Sequence, residues 1–161
     1  MNKVFTIAVA SLFSLFLVSC NTTPADYCET VMNECVQLDN NTKEFTQQIA
    51  SRDMQKIQET YDQNLKDINE TISKLQAMGD CRGQAYLVES AIRYAQSYKE
   101  IYENEYATFI QILSKEKKTY EDGDIVALSV DDIAKKNLEA KSDLIKNFSR
   151  FVKDFELNAS Y

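Results

Sequence analysis

The chain has 161 residues, a formal net charge of -7, one proline, three glycines and no histidine. Without histidine it can build no Ser-His-Asp or Cys-His centre, no CxxCH haem attachment and no Glu-x-x-His di-iron site. Its acidity leaves no basic footprint for nucleic acid, and anionic head groups would repel it.

The N-terminus carries Lys3, an apolar stretch from Val4 to Val18, then Ser19 and Cys20. A charged start, an apolar run and a small residue before a cysteine are the marks of a lipoprotein export signal. Leu17-Val18-Ser19-Cys20 reads as the lipobox. The apolar run is about 15 residues, short of the roughly 20 that a spanning helix needs. The reading predicts a signal peptide over 1–19, cleaved between Ser19 and Cys20. Cys20 then carries a diacylglycerol thioether and an N-acyl chain such as palmitate, and no other cofactor is expected. Two or more chains give stable anchoring where one does not. Residues 20–25 form a short tether and 26–161 one helical domain. Asn21 follows the lipidated cysteine in place of the Asp that retains lipoproteins at an inner membrane. In a host with two membranes, that points to the outer membrane, facing either the periplasm or the surface.

From Asp26 the composition is helical, rich in Glu, Gln, Lys, Leu, Ile and Ala, with few breakers. Val31, Cys35, Leu38, Thr42, Phe45 and Ile49 recur at helical spacing; Ile57, Tyr61, Leu65, Ile68, Ile72, Leu75 and Met78 resume it after a loss of phase at 50–53. Ser51 or Asp53 can cap a new helix, so this point is either a turn or a kink in one long helix. Met78-Gly79-Asp80 is a break, with glycine suited to a left-handed helix end. A third stripe through Leu87, Ala91, Tyr94, Tyr98, Ile101, Phe109 and Ile112 fades near Lys118. Tyr120 to Leu128 read as irregular, with a turn at 121–124. Ser129 then reads as the N-cap of a last helix, with Asp132 in the reciprocal position. That helix runs to about Leu157, with Leu144, Phe148, Phe151, Val152 and Phe155 inward. Asp131–Lys135, Asp132–Lys136 and Arg150–Asp154 form i,i+4 pairs outside. The expected fold is all-α, an antiparallel bundle of four helices, or of three with a long kinked first helix.

Three cysteines remain beyond Cys20, and export would place them where disulfides form. Cys28 and Cys35 lie two turns apart on one helix, about 10 Å by helix rise, too far to bond. If the chain reverses at 51–53, Cys81 returns beside the middle twenties, within range of Cys28. Cys28–Cys81 is therefore the expected disulfide, and Cys35 is expected to be buried opposite residue 68. The alternative is three buried thiols. A metal site lacks both the CxxC spacing and a histidine.

Tyr94, Tyr98, Tyr102 and Tyr106 form a row at i,i+4 spacing. Each step drifts about 40° around the axis, so some rings should face the core and others its edge. They could form a stacking platform for sugar or peptide, or serve as core and boundary packing. Glu100, Glu103 and Glu105 lie among them and read as a solvated face. Glu121, Asp122 and Asp124 lack the EF-hand order of calcium ligands.

With the lipobox, the helical body and the run Tyr98-Lys99-Glu100-Ile101-Tyr102-Glu103-Asn104-Glu105-Tyr106 leading into Ile110-Gln111-Ile112-Leu113, the chain resembles a family of small, uncharacterised all-helical surface lipoproteins of bacteria. In that family a Gly-Asp turn, here Gly79-Asp80, precedes a helix with similar Tyr-Lys-Glu-Ile and Asn-Glu-Tyr segments. The resemblance implies location and architecture and supplies no catalytic residue. The expected function is non-catalytic: a lipid-anchored envelope protein acting as a structural or protein-interaction module. The membrane is its partner through the lipid, with a protein of the envelope as the other. The competing expectation is a small-ligand module using the tyrosine row.

Overall fold

Thr23 opens the first helix of the computed structural model, which describes residues 22–157. Its hydroxyl accepts from the Asp26 amide at 3.1 Å. Pro24 takes the first helical position, where a missing N–H costs nothing. Helix α1 spans Pro24–Ser51 and ends on Arg52 in the left-handed region, φ 61°. Asp53 then caps α2 (Met54–Met78), its carboxylate accepting from the Lys56 amide at 3.2 Å. The loss of phase at 50–53 is thus a turn, and the long kinked helix is set aside.

Gly79 closes α2 at φ 64°. The connection to the next helix is pinned by a two-way bridge between the Cys81 and Gln84 backbones, with Arg82 and Gly83 both at positive φ, as the central pair of a type I′ turn requires. Helix α3 runs as Tyr86–Ile101, passes through a π-turn at Tyr102–Tyr106 and finishes as Ala107–Leu113. The Ala107 amide donates to the Tyr102 carbonyl five residues back, the bond that defines a π-turn.

Helix α4 covers Tyr120–Asp154, and here the sequence reading is corrected. Thr119, not Ser129, is the N-cap, in a capping box closed by Asp122. The acidic stretch read as a turn is the first turn of this helix, where carboxylates oppose the dipole's positive end. Ser129 lies mid-helix, its hydroxyl donating back to the Ile125 carbonyl. Of the outer pairs, Arg150–Asp154 forms at 3.4 Å, while Lys136 turns to Glu100 and Glu105 on α3.

Helices α1 and α2 run antiparallel, registered by Tyr27 Oη donating to the Gly79 carbonyl at 2.7 Å and by Thr71 and Lys74 on Glu34. Helix α3 packs against all three others, whereas α4 lies along α3. It meets α1 where Tyr27 stacks on Phe151 at 5.7 Å and Lys141 stands 3.7 Å from Asp39. The expected stripes are the core: Val31, Leu38, Phe45, Ile57, Ile68, Leu75, Leu87, Ile101, Leu144 and Phe151 are all buried. Phe148, Val152 and Phe155 are only half-buried. No helix among the described residues is long and apolar enough to cross a membrane.

Candidate functional site

Ser19 and Cys20, the expected cleavage and lipidation residues, lie outside the described residues. Their nearest described neighbours are the short lead into α1.

Cys28, Cys35 and Cys81 are all buried, and the expected Cys28–Cys81 pairing rests on how the segments that carry those two lie. The backbone does bring their segments together, because Tyr27 bonds to Gly79 and Cys81 follows two residues on. Burial raises the Cys28 thiol to about 11, and the neighbouring Cys81 adds to the rise. Cys35 rises to about 12, through burial first and then the charges of Asp39 and Glu34.

The four tyrosines do not line an open groove. Tyr94, Tyr98, Tyr102 and Tyr106 are each 5% exposed or less. Tyr94 and Tyr98 both donate to Asp39 Oδ1, the second at 2.5 Å. Tyr102 sits on Asn64 Nδ2 at 2.7 Å, and Tyr106 packs edge-on to Phe45 at 4.9 Å. The π-turn explains why the drift of the row stops short of the surface. Its wider turn rotates less per residue than an α-turn, which returns Tyr106 to the face that Tyr102 had begun to leave. The carbonyl of Tyr102 also accepts from Tyr61 Oη at 3.2 Å. The stacking platform expected of these residues is therefore core.

Glu100 and Glu103 are exposed as expected, but Glu105 is buried. The spacing carries a signal for this: Glu105 continues the three-four steps of Leu87, Ala91, Tyr94, Tyr98 and Ile101, seven residues before Ile112. Its Oε1 accepts from Lys136 Nζ at 2.9 Å, and Lys136 also reaches Glu100 at 2.8 Å. Among the described residues no cluster of His, Cys, Asp and Glu could hold a metal ion.

The surface feature that sequence reasoning missed runs along α4. Ala134, Leu138, Lys141, Ile145, Phe148 and Val152 recur in alternating steps of four and three, a second stripe beside the one facing α3. Leu138 is 71% and Ile145 51% exposed. Between this stripe and α1 lies an apolar cavity of about 340 Å³, lined by Glu29, Met32, Asn33, Val36 and Phe148. Val36 is itself half exposed, so the two helices present one apolar groove. Compared with protein-family models, with curated proteins and with solved structures, the chain matches none of them.

Proposed function

We propose that this protein is a lipid-anchored envelope protein that works by contact, receiving an apolar helix of a protein partner in the groove between α1 and α4. The observation that carries the reading is the groove lined by Met32, Val36 and Phe148, with Leu138 and Ile145 exposed on the same helix as Phe148. Apolar residues are ordinarily exposed singly, and a contiguous strip marks a contact surface. The alternating spacing suits a helical occupant, since helices dock through anchors three and four residues apart. The lipobox supports export and attachment to the outer membrane through Cys20.

Two experiments test this. Photo-crosslinkers at Leu138 and Ile145 in intact cells should join one discrete protein, and one at Gln58 on the exposed face of α2 should not. Leu138→Glu with Ile145→Glu should abolish that product while leaving the thermal midpoint nearly unchanged, because surface substitutions cost little stability. Equal products from Gln58, or a homodimer that the two substitutions dissolve, would overturn the assignment. For the anchor, Cys20→Ala should remove acyl labelling and release the protein from the membrane fraction. Unchanged labelling would rule the lipobox out.

A further inference from the structure

We infer that the four residues following Leu157, Asn158-Ala159-Ser160-Tyr161, fold back along α4 and seat the Tyr161 ring in the cavity between α1 and α4, where a partner helix must displace it. The regulation of partner binding rests on the groove reading above; the docking of the tail does not.

The end of α4 sets the direction of the tail. Phe155 is the C-cap, and Glu156 follows at φ 51°. The Glu156 amide donates to the Lys153 carbonyl at 3.2 Å, and the Leu157 amide to the Val152 carbonyl at 2.9 Å. These two bonds form a Schellman motif, which stops a helix on a left-handed residue and turns the chain back. Leu157 is half-buried and packs against the core, so contact holds the reversal as well. The accepting carbonyl belongs to Val152, the last residue of the groove-side stripe.

Phe148 stands four residues before Val152, about 6 Å along the helix axis. Four extended residues span up to about 13 Å, enough to bring Tyr161 to the cavity beside Phe148. None of the four carries a charged side chain, so laying them on an apolar face removes no ionic group from water.

The cavity suits one ring. At about 340 Å³ it stands near the small end of ligand-sized pockets and holds one large side chain at a time, so the tail's ring and a partner's anchor exclude each other. Met32, Val36 and Phe148 supply apolar and aromatic contact, with the Met32 sulfur suited to a ring edge. Glu29 and Asn33, both exposed, add acceptors for a phenol. An apolar body with a hydrogen-bond donor at its tip is what tyrosine presents. Leu138 and Ile145 stay open farther along the stripe, where a partner helix can land before it expels the ring.

The chain contains no tryptophan, so Tyr161→Trp places a single reporter in the tail. In the full chain reconstituted in phosphatidylcholine vesicles, its emission should lie at shorter wavelength than that of the isolated tail peptide with the same substitution, and acrylamide should quench it several-fold less. Val36→Glu, at a half-exposed position, and Glu156→Val, a β-branched residue at positive φ, should each restore the peptide's emission and quenching. Peptide-like emission from the unaltered groove would overturn the proposal. So would a shift that survives both substitutions, which would put the ring in the bilayer or elsewhere on the bundle. Regulation is read separately: deleting residues 158–161 should raise the crosslinking yield at Ile145 several-fold. An unchanged yield would overturn the regulatory role. No product from either chain would overturn the partner reading and the regulation with it, while the fluorescence still decides whether the tail docks.

Discussion

Asp39 receives two phenols, Tyr94 and Tyr98, with Lys141 beyond, and this cluster shows what burial does to single residues here. Burial is the first cause raising both tyrosines, and the Asp39 hydrogen bond adds to it. Tyr106 rises through burial and the neighbouring Tyr102. The Cys28 and Cys35 thiols move from 9.0 to about 11 and about 12, and Tyr86 moves from 10.0 to about 12 through burial and then its bond to Asp154. All are neutral when protonated, so the folded state holds protons that the unfolded chain gives up earlier. Their contribution is complete below pH 9 and is lost as pH rises through the folded values. Urea midpoints should therefore stay level up to about pH 9 and fall from there toward pH 12. Cys35→Ala should lower stability at every pH yet flatten the first part of that fall. A midpoint that falls no further between pH 9 and 11 would contradict this account. The tyrosine row was legible as spacing, but its burial was not. Nothing in Tyr102-Glu103-Asn104-Glu105-Tyr106 marks a π-turn, which is set by rings packing on Phe45 and Tyr61.

At the scale of elements, the first three helices were legible because each boundary had a local chemical cause. Asp53 and Gly79 act where the stripe breaks, whatever the tertiary structure. The start of α4 was misplaced because two segments share one signature: Thr119 with Asp122, and Ser129 with Asp132, ten residues later. Gly123 lies inside the first turn, where its cost is small, so it did not end the helix. Removing the true cap should show this: Thr119→Ala should cost about 1 kcal/mol in urea unfolding, and Ser129→Ala close to nothing. Arg52 offers the converse. A residue with a Cβ held at φ 61° is strained, so Arg52→Gly should raise stability by about 0.5–1 kcal/mol, the relief of the left-handed conformation offset by glycine's unfolded freedom. Loss of stability there would mean that the arginine side chain matters more than its backbone. The second stripe on α4 was present in the spacing but hidden by the assumption that Phe148 and Val152 face inward. Only the placement of α3 decides which stripe is covered.

Across the whole molecule, the seam between the start of α1 and the α2–α3 connection is held by Tyr27 on Gly79, with Cys28 and Cys81 beside it. In an oxidising envelope, non-reducing peptide mapping should find those two cysteines joined and Cys35 as a thiol. That bond would add about 3–5 kcal/mol by the chain-entropy estimate. Recovery of both as thiols from the envelope would remove the expectation. The geometry that brings their segments together was legible once the turn at 51–53 was allowed.

The arrangement of α4 has a consequence for how the molecule comes apart. Helices α1, α2 and α3 each bury a long face against the other two, whereas α4 is lodged on α3 and buries only Asp122, Leu144 and Phe151 fully along its length. Such an element can open as its own cooperative unit while the remaining three stay folded. Amide protons of α4 before Leu144 should then exchange with solvent well ahead of those in α1 to α3. A helix docked in the groove would slow that exchange, so the partner's arrival would be written into the protection pattern of the chain itself.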